Sequence, residues 1–192
     1  LAEMGADLIL VDRPGTDFAP LAVSLQERWG VQIWHYHCDI EQNNQRLELL
    51  GLIQNEHMQL NILINNAAFV GASNLKGWGT SFEEQTIETW RRALEVNLTA
   101  PFHLSQGLTP LLKRSTGASI INIGSIYGEY GPDWRLYEGT SMGNPAAYSA
   151  SKGGLHQLTR WLATTLAPNL RVNAISPGGV FNDQGEDFVK RI

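Results

Sequence analysis

The 192-residue chain carries a single cysteine, Cys38, which excludes an intramolecular disulfide framework and makes a reducing, cytoplasmic setting the expectation. No uninterrupted apolar run approaches the roughly 20 residues that span a bilayer. Excess positive charge is also missing: the formal net charge is -5. A nucleic-acid groove or adsorption to an anionic membrane is therefore not expected. His35 and His37 share one strand face, but no third ligand stands at a suitable spacing. They are read as core or edge histidines, and no metal site is expected. The chain opens on Leu1 rather than Met, and Phe188–Ile192 looks like a helix cut short, so the expectation is that both ends are incomplete.

What is present is ordinary for one globular domain. Apolar residues make up 43% and charged residues 17%, enough to build a hydrophobic core at this length. Leu1–Asp7 reads as the last turn of a helix, a glycine and the approach to a strand. Apolar runs at 8–11, 31–37, 61–65, 119–123 and 171–175 then alternate with helical patterns at about 17–29, 41–57, 83–113 and 145–167. The 83–113 pattern contains Pro101, which predicts a bend. The alternation predicts a doubly wound, Rossmann-like parallel sheet in three α/β/α layers, N- and C-terminally incomplete. No internal repeat or linker interrupts it, so residues 1–192 are expected to form one partial domain. Ligands bind beyond the C-terminal strand ends of such sheets, where Asp12, Asp39, Asn65-Asn66, Ser125 and Pro177-Gly178 fall.

Tyr148 and Lys152 stand four apart in a helical segment and so share one face. A nearby ammonium favours the phenolate. A tyrosine so tuned can give a proton to a carbonyl oxygen or take one from an alcohol. Asn65-Asn66-Ala67-Ala68, Asn97 within Glu95–Leu98, Ser125 after Ile123-Gly124, and Pro177-Gly178-Gly179-Val180 accompany that pair in order. In these motifs the chain resembles the short-chain dehydrogenase/reductase family over nearly its whole length, and in the run Tyr137-Glu138-Gly139-Thr140-Ser141-Met142 it resembles members linked to bacterial surface-sugar or flagellin-glycan biosynthesis.

The resemblance implies an oxidoreductase in which hydride passes between a nicotinamide cofactor and a substrate carbon. Tyr148 would be the general acid or base, and Ser125 would hydrogen-bond the substrate oxygen. Lys152 would bind the nicotinamide ribose, and Asn97 would hold a water that relays protons from Lys152. Asp39 and Ile40 resemble the family's adenine-contacting pair. Asn66, Ala67 and Ala68 would run along the adenosine ribose, with Ala68 in place of the usual glycine. Pro177, Gly178 and Val180 would lie beside the nicotinamide, and Asn182 stands near the position of a family threonine.

The glycine-rich pyrophosphate turn of dinucleotide folds is not found; Gly5 is isolated. The strand ending at Asp12 matches the family's second strand, so the turn is expected upstream of Leu1. A carboxylate at Asp12 accepts bonds from ribose hydroxyls and repels a 2′-phosphate, which favours NAD; Arg13 beside it leaves NADP open. Asp12 is also read as a turn initiator before Arg13-Pro14-Gly15.

Residues 126–147 separate Ser125 from Tyr148, a longer insert than the family commonly has. It is rich in aromatic and hydrogen-bonding groups, which suit a polar ring such as a sugar or nucleotide sugar. An oxoacyl or other small-carbonyl reductase, or a truncated non-catalytic family member, are the alternatives. The insert is read equally as a lid or an oligomer contact. Trp29, Trp34, Trp78, Trp90 and Trp161 are read as packing residues. The apolar faces of 83–113 and 145–167 resemble the family's four-helix contact, which implies a homodimer or homotetramer.

Overall fold

A computed structural model describes residues 1–70, 75–140 and 143–180. The terminal helix expected at 188–192, Asn182, and parts of the 69–81 loop and of the insert lie outside the described residues. The fold is Rossmann-like α/β, with every observed strand pair parallel. The chain divides into two compact units, Leu1–Asn55 and Glu56–Ile192. Among the described residues, hydrogen bonding joins five strands as two sheets, β1-β2 and β3-β4-β5, rather than as one.

The first unit opens on a 3-10 turn, Ala2–Met4, which Gly5 ends at φ 83; this is the helix end the sequence predicts. Strands β1 (Leu8–Asp12) and β2 (Ile33–His37) pair in register from Leu8↔Ile33 to Asp12↔His37. Helix α1 (Ala19–Trp29) carries Pro20 in its first turn, where the missing N–H costs nothing. Phe18 is buried, with the His35 and His37 rings 5.1 and 5.2 Å from its own, so both histidines serve as aromatic packing. Helix α2 (Asn43–Glu56) buries Leu49, Leu50 and Ile53. Its buried Arg46 donates to the Ile40 carbonyl oxygen.

In the second unit β3 (Ile62–Asn65), β4 (Ser119–Ile123) and β5 (Arg171–Ile175) lie in that order. Asn65 and Asn122 are register partners and form a buried polar ladder. Asn65 Nδ2 donates to Asn122 Oδ1 at 2.8 Å, and Asn122 Nδ2 to Thr159 Oγ1 at 2.8 Å. The helix expected at 83–113 starts later. Thr86 caps it by accepting from Thr89 N, so α3 is Ile87–Leu94, and Phe82–Glu84 is a separate 3-10 turn. A π-turn at Glu95–Thr99 leads into α4 (Ala100–Leu112). The widened turn falls where Pro101, lacking an N–H, could not bond back to Asn97. Helix α5 (Ala146–Leu166) packs on α3, β5 and the turn after β4.

Candidate active site

Strand β4 delivers Ile123, Gly124 and Ser125 to one end of the second unit. Ser125 is buried and extended, and its Oγ accepts from Tyr127 N at 3.2 Å, capping the 3-10 turn Ile126–Gly128. That turn lies flush on α5: a Cβ on Gly128 would stand 2.7 Å from the Lys152 carbonyl carbon. A Cβ on Gly124 would run into the His156 ring. Two glycines therefore let the serine-bearing turn meet the helix that carries Tyr148 and Lys152.

Lys152 is 2% exposed. Its Nζ donates to the Ile123 carbonyl oxygen at 2.6 Å and lies 5.8 Å from the Tyr148 ring centroid. Burial holds its pKa at about 8, below the ordinary 10.5. An ammonium has three donors, and among the described residues Ile123 is Lys152's one hydrogen-bond acceptor. The remaining donors fit sugar hydroxyls such as those of a nicotinamide ribose.

Asn97 is 1% exposed and ties this helix to the loop after β3. Its Oδ1 accepts from Phe69 N at 2.6 Å. Its Nδ2 donates to Phe69 O at 3.2 Å and to Ser151 Oγ at 3.0 Å. Ser151 Oγ in turn donates to Tyr148 O at 2.8 Å. The carboxamide thus engages Lys152's sequence neighbour. Beyond β5, Pro177 O accepts from Ile126 N at 3.1 Å, which fixes the Pro177-Gly178 turn against the serine turn. Val180 is exposed, as are Asn66 and Ala67 after β3, with Ala68 half-buried.

The remaining sequence-derived positions belong to the first unit. Asp12 is exposed at the end of β1, and its Oδ1 accepts from Arg13 N at 2.7 Å. A turn follows, with Thr16 N donating to Arg13 O, so the turn-initiating role is realised. The other carboxylate oxygen takes no partner among the described residues. Asp39 Oδ1 accepts from Glu41 N at 3.0 Å, and Asp39 N donates to Gln45. Asp39 and Ile40 are half-buried.

Tyr148 lines a cavity of about 150 Å³ with Val70, Trp78, Tyr127, Tyr137 and Asn144. Its walls brace one another. Trp78 is buried, donates from Nε1 to Val70 O at 2.5 Å, and meets the Phe69 ring edge-on at 4.8 Å. The Tyr127 and Tyr137 hydroxyls lie 2.6 Å apart. Burial first, then the Tyr127 hydroxyl, pushes the Tyr137 phenol above its ordinary range. Trp134 flanks Tyr137. A larger hollow, about 690 Å³, runs along α1 but is walled by residues of that one helix. Sequence reasoning treated Trp78 as packing and did not single out Tyr127. Tyr127's position two residues beyond Ser125 was the available signal; nothing local marks Trp78.

A family model for short chain dehydrogenases matches residues 1–190. The chain belongs to that family. It is 34% identical over 185 residues to the rhamnolipids biosynthesis 3-oxoacyl-(acyl-carrier-protein) reductase of Pseudomonas aeruginosa, covering 93% of this chain and 64% of the relative. It is 26% identical to the post-translational flagellin modification protein A of Campylobacter coli, covering 95% and 71%, in keeping with the flagellin-related resemblance. The solved RhlG/NADP active-site complex of Pseudomonas aeruginosa superposes with a TM-score of 0.77 at 31% identity, covering 94% and 65%. The short-chain dehydrogenase chain thus spans about two thirds of the length of these relatives. No helix among its described residues is long and apolar enough to cross a membrane.

Proposed function

We propose that the protein is an NAD(P)-dependent oxidoreductase acting on a hydroxyl or ketone of a single polar ring, with a sugar-type compound as the substrate class. The observation that carries this reading is the buried Lys152 ammonium beside Tyr148, a tyrosine that lines an aromatic cavity. When bound, the nicotinamide supplies or accepts the hydride. Tyr148 gives its proton to the carbonyl oxygen in reduction and takes one from the alcohol in oxidation. Ser125 holds that oxygen. Lys152 holds the ribose and keeps positive charge near the phenol, and Asn97 serves the proton relay toward Lys152.

The same reading assigns Asp12 to the adenosine ribose, Asp39 and Ile40 to the adenine, and Asn66, Ala67 and Ala68 to the adenosine side. Pro177, Gly178 and Val180 would lie beside the nicotinamide. NAD is the preferred cofactor because, among the described residues, Asp12 keeps one carboxylate oxygen unengaged; the relative solved with NADP keeps that cofactor in view. Residues 1–192 are read as one partial cofactor-binding domain, supported by a family match that runs through both units. Exposed Phe102 on α4 and Trp161 on α5 support a homodimer or homotetramer, and the buried free thiol of Cys38 is in keeping with a cytoplasmic setting.

A small-carbonyl reductase is the second reading, favoured by the 3-oxoacyl reductase relative. The cavity size argues for a ring, because cavities near 150 Å³ hold a benzene-sized guest. Tyr148→Phe tests the chemistry. Turnover of a ring-alcohol and ketone panel should fall by orders of magnitude while dinucleotide affinity, read by fluorescence titration, is kept. Undiminished turnover in that variant would remove Tyr148 from the reaction.

A further inference from the structure

Asn144 is 6% exposed and lines the aromatic cavity beside Tyr148 and Tyr137. Its Oδ1 accepts from Ser149 Oγ at 3.2 Å, which orients the carboxamide. Its Nδ2 is buried and has no hydrogen-bond partner among the described residues. An amide donor shut away from water without an acceptor is costly, and folded proteins rarely leave one so. Of the other lining side chains, Trp78 offers only an indole N–H, which donates to Val70 O, and the Tyr127 and Tyr137 hydroxyls are bonded to each other.

We infer that Asn144 is a specificity-determining residue whose Nδ2 donates to a second oxygen of the substrate ring, one other than the oxygen that Tyr148 protonates. This rests on the proposed oxidoreductase reading and sharpens it. The preferred compounds are ring ketones or alcohols carrying a further hydroxyl or carbonyl, and a ring with one oxygen is a poor substrate because it leaves the donor unpaired. A site built to bond a substrate oxygen discriminates strongly against the analogue that lacks it.

The test compares cyclohexanone with 2-, 3- and 4-hydroxycyclohexanone on cofactor-loaded protein, on Asn144→Ala, and on Asn144→Asp, which keeps the shape and the Ser149 bond but loses the donor. In the unaltered protein at least one hydroxyketone should exceed cyclohexanone by about tenfold or more in kcat/KM, chiefly through KM. In both variants that ratio should fall toward one. A ratio that persists in the variants, or is absent from the unaltered protein, overturns the inference. Turnover of none of the four ketones counts against the oxidoreductase reading instead. The role of Asn144 is then read by calorimetry with the same compounds. Tighter binding of a hydroxyketone that both variants abolish supports it; equal binding in the variants, or no binding at all, overturns it.

Discussion

The Lys152 ammonium is bonded to the main chain of Ile123, the last residue of β4, at 2.6 Å. A charge is thereby fixed inside the protein at the point where the central strand of its sheet meets α5, and burial lowers its pKa to about 8.

That burial has a pH signature. Below about pH 8 Lys152 is protonated both folded and unfolded, and the cost of burying the charge is present in full. Between about 8 and 10.5 the unfolded chain binds the proton and the folded chain does not, so stability rises with pH across this window. The gap between those two values corresponds to about 3 kcal/mol. Urea denaturation at intervals from pH 7 to 10.5 should show this rise in the unaltered protein relative to Lys152→Met. Parallel curves for the two proteins would contradict it.

Gly128 is fitted to main chain, with the Lys152 carbonyl carbon and oxygen 2.7 and 2.8 Å from where a Cβ would stand. Neither neighbour can rotate away. Gly128→Ala should therefore cost about 1–3 kcal/mol in the manner of an overpacked core and depress turnover. Gly131→Ala, whose Cβ would meet nothing within 4 Å, should stay within about 0.5 kcal/mol. Thermal denaturation of the two variants side by side makes the comparison.

Cys38 is a free thiol, 1% exposed. Burial first, and the Asp39 carboxylate second, raise its pKa, and a thiol that is both shielded and protonated is a poor nucleophile. A disulfide exchange reagent should label it only after denaturant is added. Rapid labelling of the native protein would mean that the β2 end opens readily.

The elements most legible in the sequence are those specified over short distances. The Tyr148–Lys152 spacing placed both groups on α5, and the 145–167 pattern became Ala146–Leu166. The strand runs stand where their apolar patterns fall, with β2 starting at Ile33 rather than Val31 because only the later residues join the ladder. The start of α3 was obscured because Phe82 mimics a helical apolar position, whereas the Thr86 cap decides the boundary. The π-turn was visible only as a proline. Division of the strands into two sheets depends on which edges bond, and periodicity carries no record of that. The cavity was least legible, since residues 70, 78, 127, 137 and 144 meet only in three dimensions.

Gly143, Asn144 and Pro145 line the cavity and lead straight into the first turn of α5, with Tyr148 three residues beyond Pro145. Shape selection and proton transfer are thus written on one short stretch of chain. A substitution that remodels the chamber there also tilts the acid. Binding preference and catalytic speed are consequently inherited together, because the residues that shape the chamber there and the tyrosine that moves the proton share one run of backbone.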